Sequence, residues 1–136
     1  MLGRLDRWRG AAPLVLRLAV GVVAVAHGQE KVFGGMVRHV EVVTRTLHLH
    51  PALAYASAYA ELLGGVLLLL GLFTRWAALA LAVILGTAVV RLHWAYGLRG
   101  PGGFELPLSV LAGALALLLL GGGWLSLDRS VLGKEW

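Results

Sequence analysis

Residues 61–73 read Glu-Leu-Leu-Gly-Gly-Val-Leu-Leu-Leu-Leu-Gly-Leu-Phe, and no polar side chain interrupts the run from Leu62 to Leu72. A helix at a protein surface in water carries a polar stripe at a 3.6-residue period. This stretch has no such stripe, and neither has Leu108–Leu120 apart from Ser109. Strict apolar–polar alternation is absent too, so the strands of a barrel do not fit. A helix solvated by lipid does, because in a bilayer only helices and closed barrels satisfy their own backbone groups.

Four stretches in all follow the same logic. Apolar runs extend from about Ala12 to Phe33, Leu53 to Phe73, Trp76 to Tyr96 and Phe104 to Gly121. Each is near the ~20 residues that cross ~30 Å of hydrocarbon. The composition agrees. The chain is 59% hydrophobic and 14% charged, against ~45–50% and ~25% in soluble domains. The fold class expected is an all-α membrane protein, an up-down bundle of four transmembrane helices forming one domain over residues 1–136.

Thr74 and Arg75 join the second and third spans, which predicts a tight antiparallel hairpin. Gly97–Gly103 is a flexible turn between the third and fourth. Between the first and second, Met36, Val37, Val40, Val43 and Leu47 recur at helical spacing among Arg38, Glu41, Thr44, Arg45 and His48. That pattern predicts a short amphipathic helix in the membrane interface, with a solvated loop helix as the alternative. Pro51 suits the first turn of the second span. Gly64-Gly65, with Gly71 beyond, suits close helix packing. Trp8, Trp76 and Trp124 fall at one end of the bundle, and Tyr55, Tyr59, Trp94, Tyr96 and Phe104 toward the other, as interfacial aromatic belts do.

The net charge of +5 is not a nucleic-acid signature here, because the twelve Lys and Arg lie mostly between the apolar runs and form no basic face. The chain has no cysteine, which excludes disulfides, Fe–S clusters and thiol redox chemistry on it. Residues 1–10 are basic and Ala24-Val25-Ala26 has the form of a signal-peptide cleavage site, but Arg17 interrupts the apolar core, so an uncleaved first span is expected. With both termini in the cytoplasm the inner side carries Arg4, Arg7, Arg9, Arg75, Arg129 and Lys134. The outer side carries Lys31, Arg38, Arg45 and Arg99, with Arg91 near the boundary. The basic N-terminus favours this orientation in a cell (inner) membrane.

Ionisable groups inside membrane spans are costly and so mark function. Up-down topology places His27, Glu30 and Lys31 at the end of the first span, and Arg91 and His93 at the end of the third, on the same side as Glu105 at the start of the fourth. Glu61 lies about 12 Å into the second span. All seven therefore surround one outward-facing vestibule. His27 and Lys31, four apart, share a helix face. Arg17 enters from the other side, and Glu61 is its expected partner in a structural ion pair; Arg91 with Glu105 is expected as a second pair. Each of these groups also has a purely structural reading, as a helix fastener, a snorkelling side chain or a topology signal. No spacing such as His-Glu-x-x-His supports a metal site, and none is expected.

The motifs resemble a known family. Leu16-Arg17-Leu18-Ala19-Val20-Gly21, then His27-Gly28 with Lys31, resembles the first-span signature of DoxX-type membrane proteins. Glu61-Leu62-Leu63-Gly64-Gly65, then Gly71-Leu72-Phe73-Thr74-Arg75, is similar to their second-span motif. His93-Trp94 with Gly97, Gly103-Phe104-Glu105, and the ending Gly121–Asp128 fit the remainder, whereas Gln29-Glu30 and Arg91 depart from the pattern. The resemblance implies a four-helix membrane protein. Relatives of this kind include subunits of thiosulfate:quinone oxidoreductase and proteins linked to oxidative-stress complexes or to quinone and catechol resistance.

Vestibule and resemblance together lead to the expectation of a membrane subunit of a redox system that binds a quinone or similar small amphiphile and carries no covalent cofactor. His27 and Lys31 would polarise the ligand's carbonyls, and Glu61 with His93 or Glu105 would move protons, while Glu30, Arg91 and Glu105 would join Lys31 in binding. Electrons would come from a redox partner protein. Two other readings stay open: a membrane anchor, assembly factor or scaffold that docks a partner on residues 36–47, and a small transporter or ion pathway that works as a homo-oligomer.

Overall fold

The computed structural model describes residues 6–134; Arg4, counted above in the charge balance, lies outside them. Helix α1 spans Ala11–Glu30, α2 Met36–Glu41, α3 Pro51–Leu70, α4 Thr74–Thr87, α5 Glu105–Leu120 and α6 Leu127–Ser130. No strand occurs among the described residues. Three helical runs, Ala11–Thr46, Pro51–Leu70 and Thr74–Tyr96, are long and apolar enough to cross a membrane, and α5 is a shorter apolar helix. Side chains such as Leu63, Val83 and Leu119 stand exposed on the outer faces, where lipid would solvate them.

The connections differ from the sequence expectation in two places. The expected helix between the first and second spans is present as α2, but no loop separates it from the first span. Wide π-helical turns at Lys31–Gly35 and Val42–Thr46 carry one helical run through α2 to Thr46. The inner face of this continuation, Val40, Val43 and Leu47, packs on Ala54 and Leu92, while Val37 stays exposed. The second difference is the hairpin. Thr74 and Arg75 form the first turn of α4, and the link is Gly71–Phe73. Gly71 takes a left-handed φ of 67°, so Leu72 N–H reaches the Leu67 carbonyl (2.9 Å) and Gly71 N–H that of Leu68 (3.1 Å), the Schellman end of a helix. At the other end of α3, His50 caps Ala52 N–H (3.2 Å) just before Pro51.

Helices α1, α3, α4 and α5 each touch two neighbours and close a ring around a core that includes Ala24, Leu68, Ala78, Leu81, Ala114 and Leu117. The α1–α3 seam is the tightest. A Cβ on Gly28 would lie 2.5 Å from Leu62 N, and one on Gly65 would lie 2.7 Å from Val25 N. The two glycines read as a packing pair divide this work. Gly65 faces α1, and Gly64 faces Leu81 of α4. Gly71 is a cap and not part of the seam.

Both ends of the described chain meet at one end of the bundle. Trp124 N–H donates to the Gly10 carbonyl (3.1 Å), and the Trp8 and Trp124 rings pack at 5.9 Å. Beneath them lies Arg17, fully buried, donating from Nη2 to the Trp124 carbonyl (2.9 Å). Asp128, also fully buried, accepts from Phe73 N–H (2.7 Å) and Thr74 N–H (2.9 Å) and so caps α4 from the far end of the chain. The expected Arg17–Glu61 pair does not form. Gly28 of α1 sits opposite Leu62, which leaves Arg17 eleven residues of helix, about 16 Å, from the level of Glu61. Arg17 instead lies against Gly71, whose added Cβ would fall 1.7 Å from its Nη1.

Two stability effects follow. Gly28→Val must separate α1 from α3 and should destabilise the protein by about 1–3 kcal/mol, read as a lower thermal midpoint in detergent. Asp128→Ala leaves two buried N–H groups without acceptors and removes the acid nearest the buried Arg17, and should cost about 2–5 kcal/mol. A thermal midpoint unchanged by Asp128→Ala would refute that cap.

Candidate functional site

At the end opposite the termini the ring encloses a cavity of about 510 Å³. Its position follows from the α1–α3 seam. Once Gly28 brings α1 against Leu62, Lys31 stands one turn further along, level with Glu61. The Lys31 ammonium donates to the Glu61 carboxylate; Glu61 is 6% exposed and Lys31 27%. The pair joins α1 to α3 across the seam, and the buried carboxylate has its cation from the neighbouring helix.

Three histidines share the cavity. His27 lines its mouth from the last turn of α1 and is exposed. His39 reaches in from α2 and pairs through Nε2 with Ser57 Oγ of α3 (2.9 Å). His93 lies at the end of the α4 extension, where Nδ1 donates to the Gly102 carbonyl (2.6 Å). That bond fastens the glycine-rich 97–103 turn, whose Gly100, Gly102 and Gly103 roof the cavity. The Trp94 ring, stacked on Phe104 at 5.2 Å, holds the same corner. Glu105, first residue of α5, lines the cavity beside the roof. The remaining walls, among them Leu81, Ile84, Leu85, Leu106 and Val110, are apolar.

The structure thus gathers His27, Lys31, Glu61, His93 and Glu105 in one cavity, and leaves three of the singled-out residues outside it. Glu30 points to the other side of α1, into a shallow depression with Gln29, Phe33 and Gly34. Arg91 is exposed and does not line the cavity; the expected Arg91–Glu105 pair is absent among the described residues. Two residues along a helix turn the side chain by about 200°, so Arg91 faces away when His93 faces in. Arg17 lies at the opposite end of the bundle. His39 escaped the sequence reading, although its spacing of four from Val43 already put it on the packed face of its helix. No group of three or more metal-ligating side chains occurs among the described residues.

An all-helical chain whose apolar helices close on a polar cavity at one end is a small multi-span membrane protein. Residues 12–94 match the DoxX family, and the chain belongs to it. It is similar to a protein of Bacillus subtilis (strain 168) named "Putative oxidoreductase CatD", with 33% identity over 125 residues, covering 90% of this chain and 89% of that one. No solved structure matches it significantly.

The Lys31–Glu61 pair is open to a double-mutant cycle. Lys31→Met and Glu61→Leu should each lower stability by about 1–3 kcal/mol, because each leaves a desolvated charge unpaired. The double variant should be less destabilised than the sum, by about 0.5–3 kcal/mol. Additive midpoint shifts would show that the two charges do not act as a pair.

Proposed function

We propose that this DoxX-family chain is an integral membrane subunit of a redox system and takes a quinone or similar small amphiphile into the polar cavity. The observation that carries the reading is the setting of the Lys31–Glu61 pair. It lies in a cavity with His27, His39 and His93, against walls that are otherwise apolar. A volume of about 510 Å³ falls within the ~300–1,000 Å³ of small-molecule sites, which combine apolar walls with a few polar anchors. The donor set on the α1 side fits a ring oxygen. The Lys31 ammonium keeps protons beyond the one it gives Glu61, and imidazoles exchange protons near neutral pH. The oxidoreductase name of the Bacillus relative supports the same direction.

In this reading Lys31 and His27 hydrogen-bond the ligand's oxygens. The second Glu61 oxygen and His93 hold the protons that accompany electron transfer. The quinone supplies the two-electron chemistry when bound, and the electrons pass to or from a partner protein. Both termini lie in the cytoplasm, and the cavity opens on the outer side of a cell membrane.

Binding of a quinone by the purified protein in nanodiscs tests this. Wild type should show saturable binding, and His27→Gln and Glu61→Gln should each weaken it about tenfold or more, the scale of a lost hydrogen bond to a charged or polarising group. A well-folded wild type that binds no quinone would sink the proposal.

A further inference from the structure

The roof of the cavity constrains which form of such a ligand it can hold. A backbone carbonyl has no proton to give. In the 2.6 Å bond between His93 Nδ1 and the Gly102 oxygen, the hydrogen therefore belongs to Nδ1. A neutral imidazole carries one N–H, so Nε2 of His93 is left as a lone pair, and no described residue donates to it. Glu105 lines the same cavity, and its carboxylate makes no hydrogen bond or ion pair with any described residue. The side-chain groups of the roof end are thus acceptors. The side-chain donors lie on the α1 side: Lys31, bound to Glu61, and His27.

From this arrangement we propose that the cavity prefers the reduced, hydroxyl-bearing form of its ligand, with a ligand hydroxyl donating to His93 Nε2 and Glu105 at the roof. An oxidised ring presents carbonyl oxygens at that end, acceptor against acceptor, and hydrogen-bonds neither roof side chain. The inference rests on the quinone reading above and adds the redox form to it. It also gives His93 two distinct duties: Nδ1 ties down the 97–103 turn, and Nε2 meets the ligand.

Two measurements test it. Side-chain ¹⁵N NMR of the protein in nanodiscs at pH 8, with His93→Asn for assignment, should show the Nδ1–H tautomer for His93. An Nε2–H tautomer, or a doubly protonated ring, overturns the proposal. The second measurement compares menadiol, kept reduced under anaerobic conditions, with menadione. Menadiol should bind about three- to tenfold more tightly. In His93→Asn, whose amide can still donate to Gly102 but puts no acceptor at the Nε2 position, the preference should fall to near parity. Glu105→Gln, which adds a donor at the roof, should move the ratio toward menadione. Equal binding, or tighter menadione binding, by wild type overturns this inference alone. Binding of neither compound overturns the quinone reading and this inference with it.

Discussion

The rest of the molecule depends on how closely α1 and α3 approach. With hydrogen in place of a side chain at Gly28 and Gly65, the backbones of the two helices come into contact. In a bilayer, where lipid is as apolar as leucine, such contact supplies much of what holds helices together. It also fixes the register. Gly28 against Leu62 sets Lys31 level with Glu61, and the only deeply buried acid in the cavity gains a cation from the neighbouring helix. A seam one residue wider would leave the carboxylate without that cation and change the charge of the cavity.

The opposite end is organised by a different interaction with the same economy. Arg17 on α1, the Gly71–Phe73 link and the 124–128 segment converge there; several of their polar groups pair, while Arg17 Nε and Nη1 and Thr74 Oγ1 are buried without a hydrogen-bond partner. Asp128 takes the N–H groups that begin α4, Gly71 gives its carbonyl to Asp128 N–H (2.9 Å), and Arg17 takes the Trp124 carbonyl. Phe73, left-handed at φ 48°, is held in that conformation by the Asp128 carboxylate. Charge at this end fastens loops; charge at the other end faces a cavity. The two groups of ionisable residues thus have separate structural roles.

Much of this was legible in the sequence. Four apolar runs, their order and the side on which each ends were enough to bring His27, Lys31, Glu61, His93 and Glu105 together, because topology alone decides which helix ends are neighbours. Pairing was not legible. The partner of Glu61 depends on how far α1 slides along α3, and that depends on which glycines meet; counting from span ends placed Arg17 too deep. Glu30 and Arg91 were misplaced for a simpler reason. Their depth was right but their rotation about the helix axis was wrong, and the 3.6-residue period could have supplied it. The Asp128 cap joins residues more than fifty positions apart, and no local pattern marks it beyond the presence of an acid after a glycine-rich turn.

The helices that enclose the cavity are unequal in length. Helix α1 has 20 residues and spans about 30 Å, whereas α5 has 16 and spans about 24 Å. A hydrocarbon layer of ~30 Å is therefore matched by α1 and undershot by α5. Along α5 the bilayer must thin to match the protein, at a cost of a fraction of a kcal/mol per Å. The headgroups are then drawn toward Glu105, and the polar interface reaches closest to the cavity along its α5 wall.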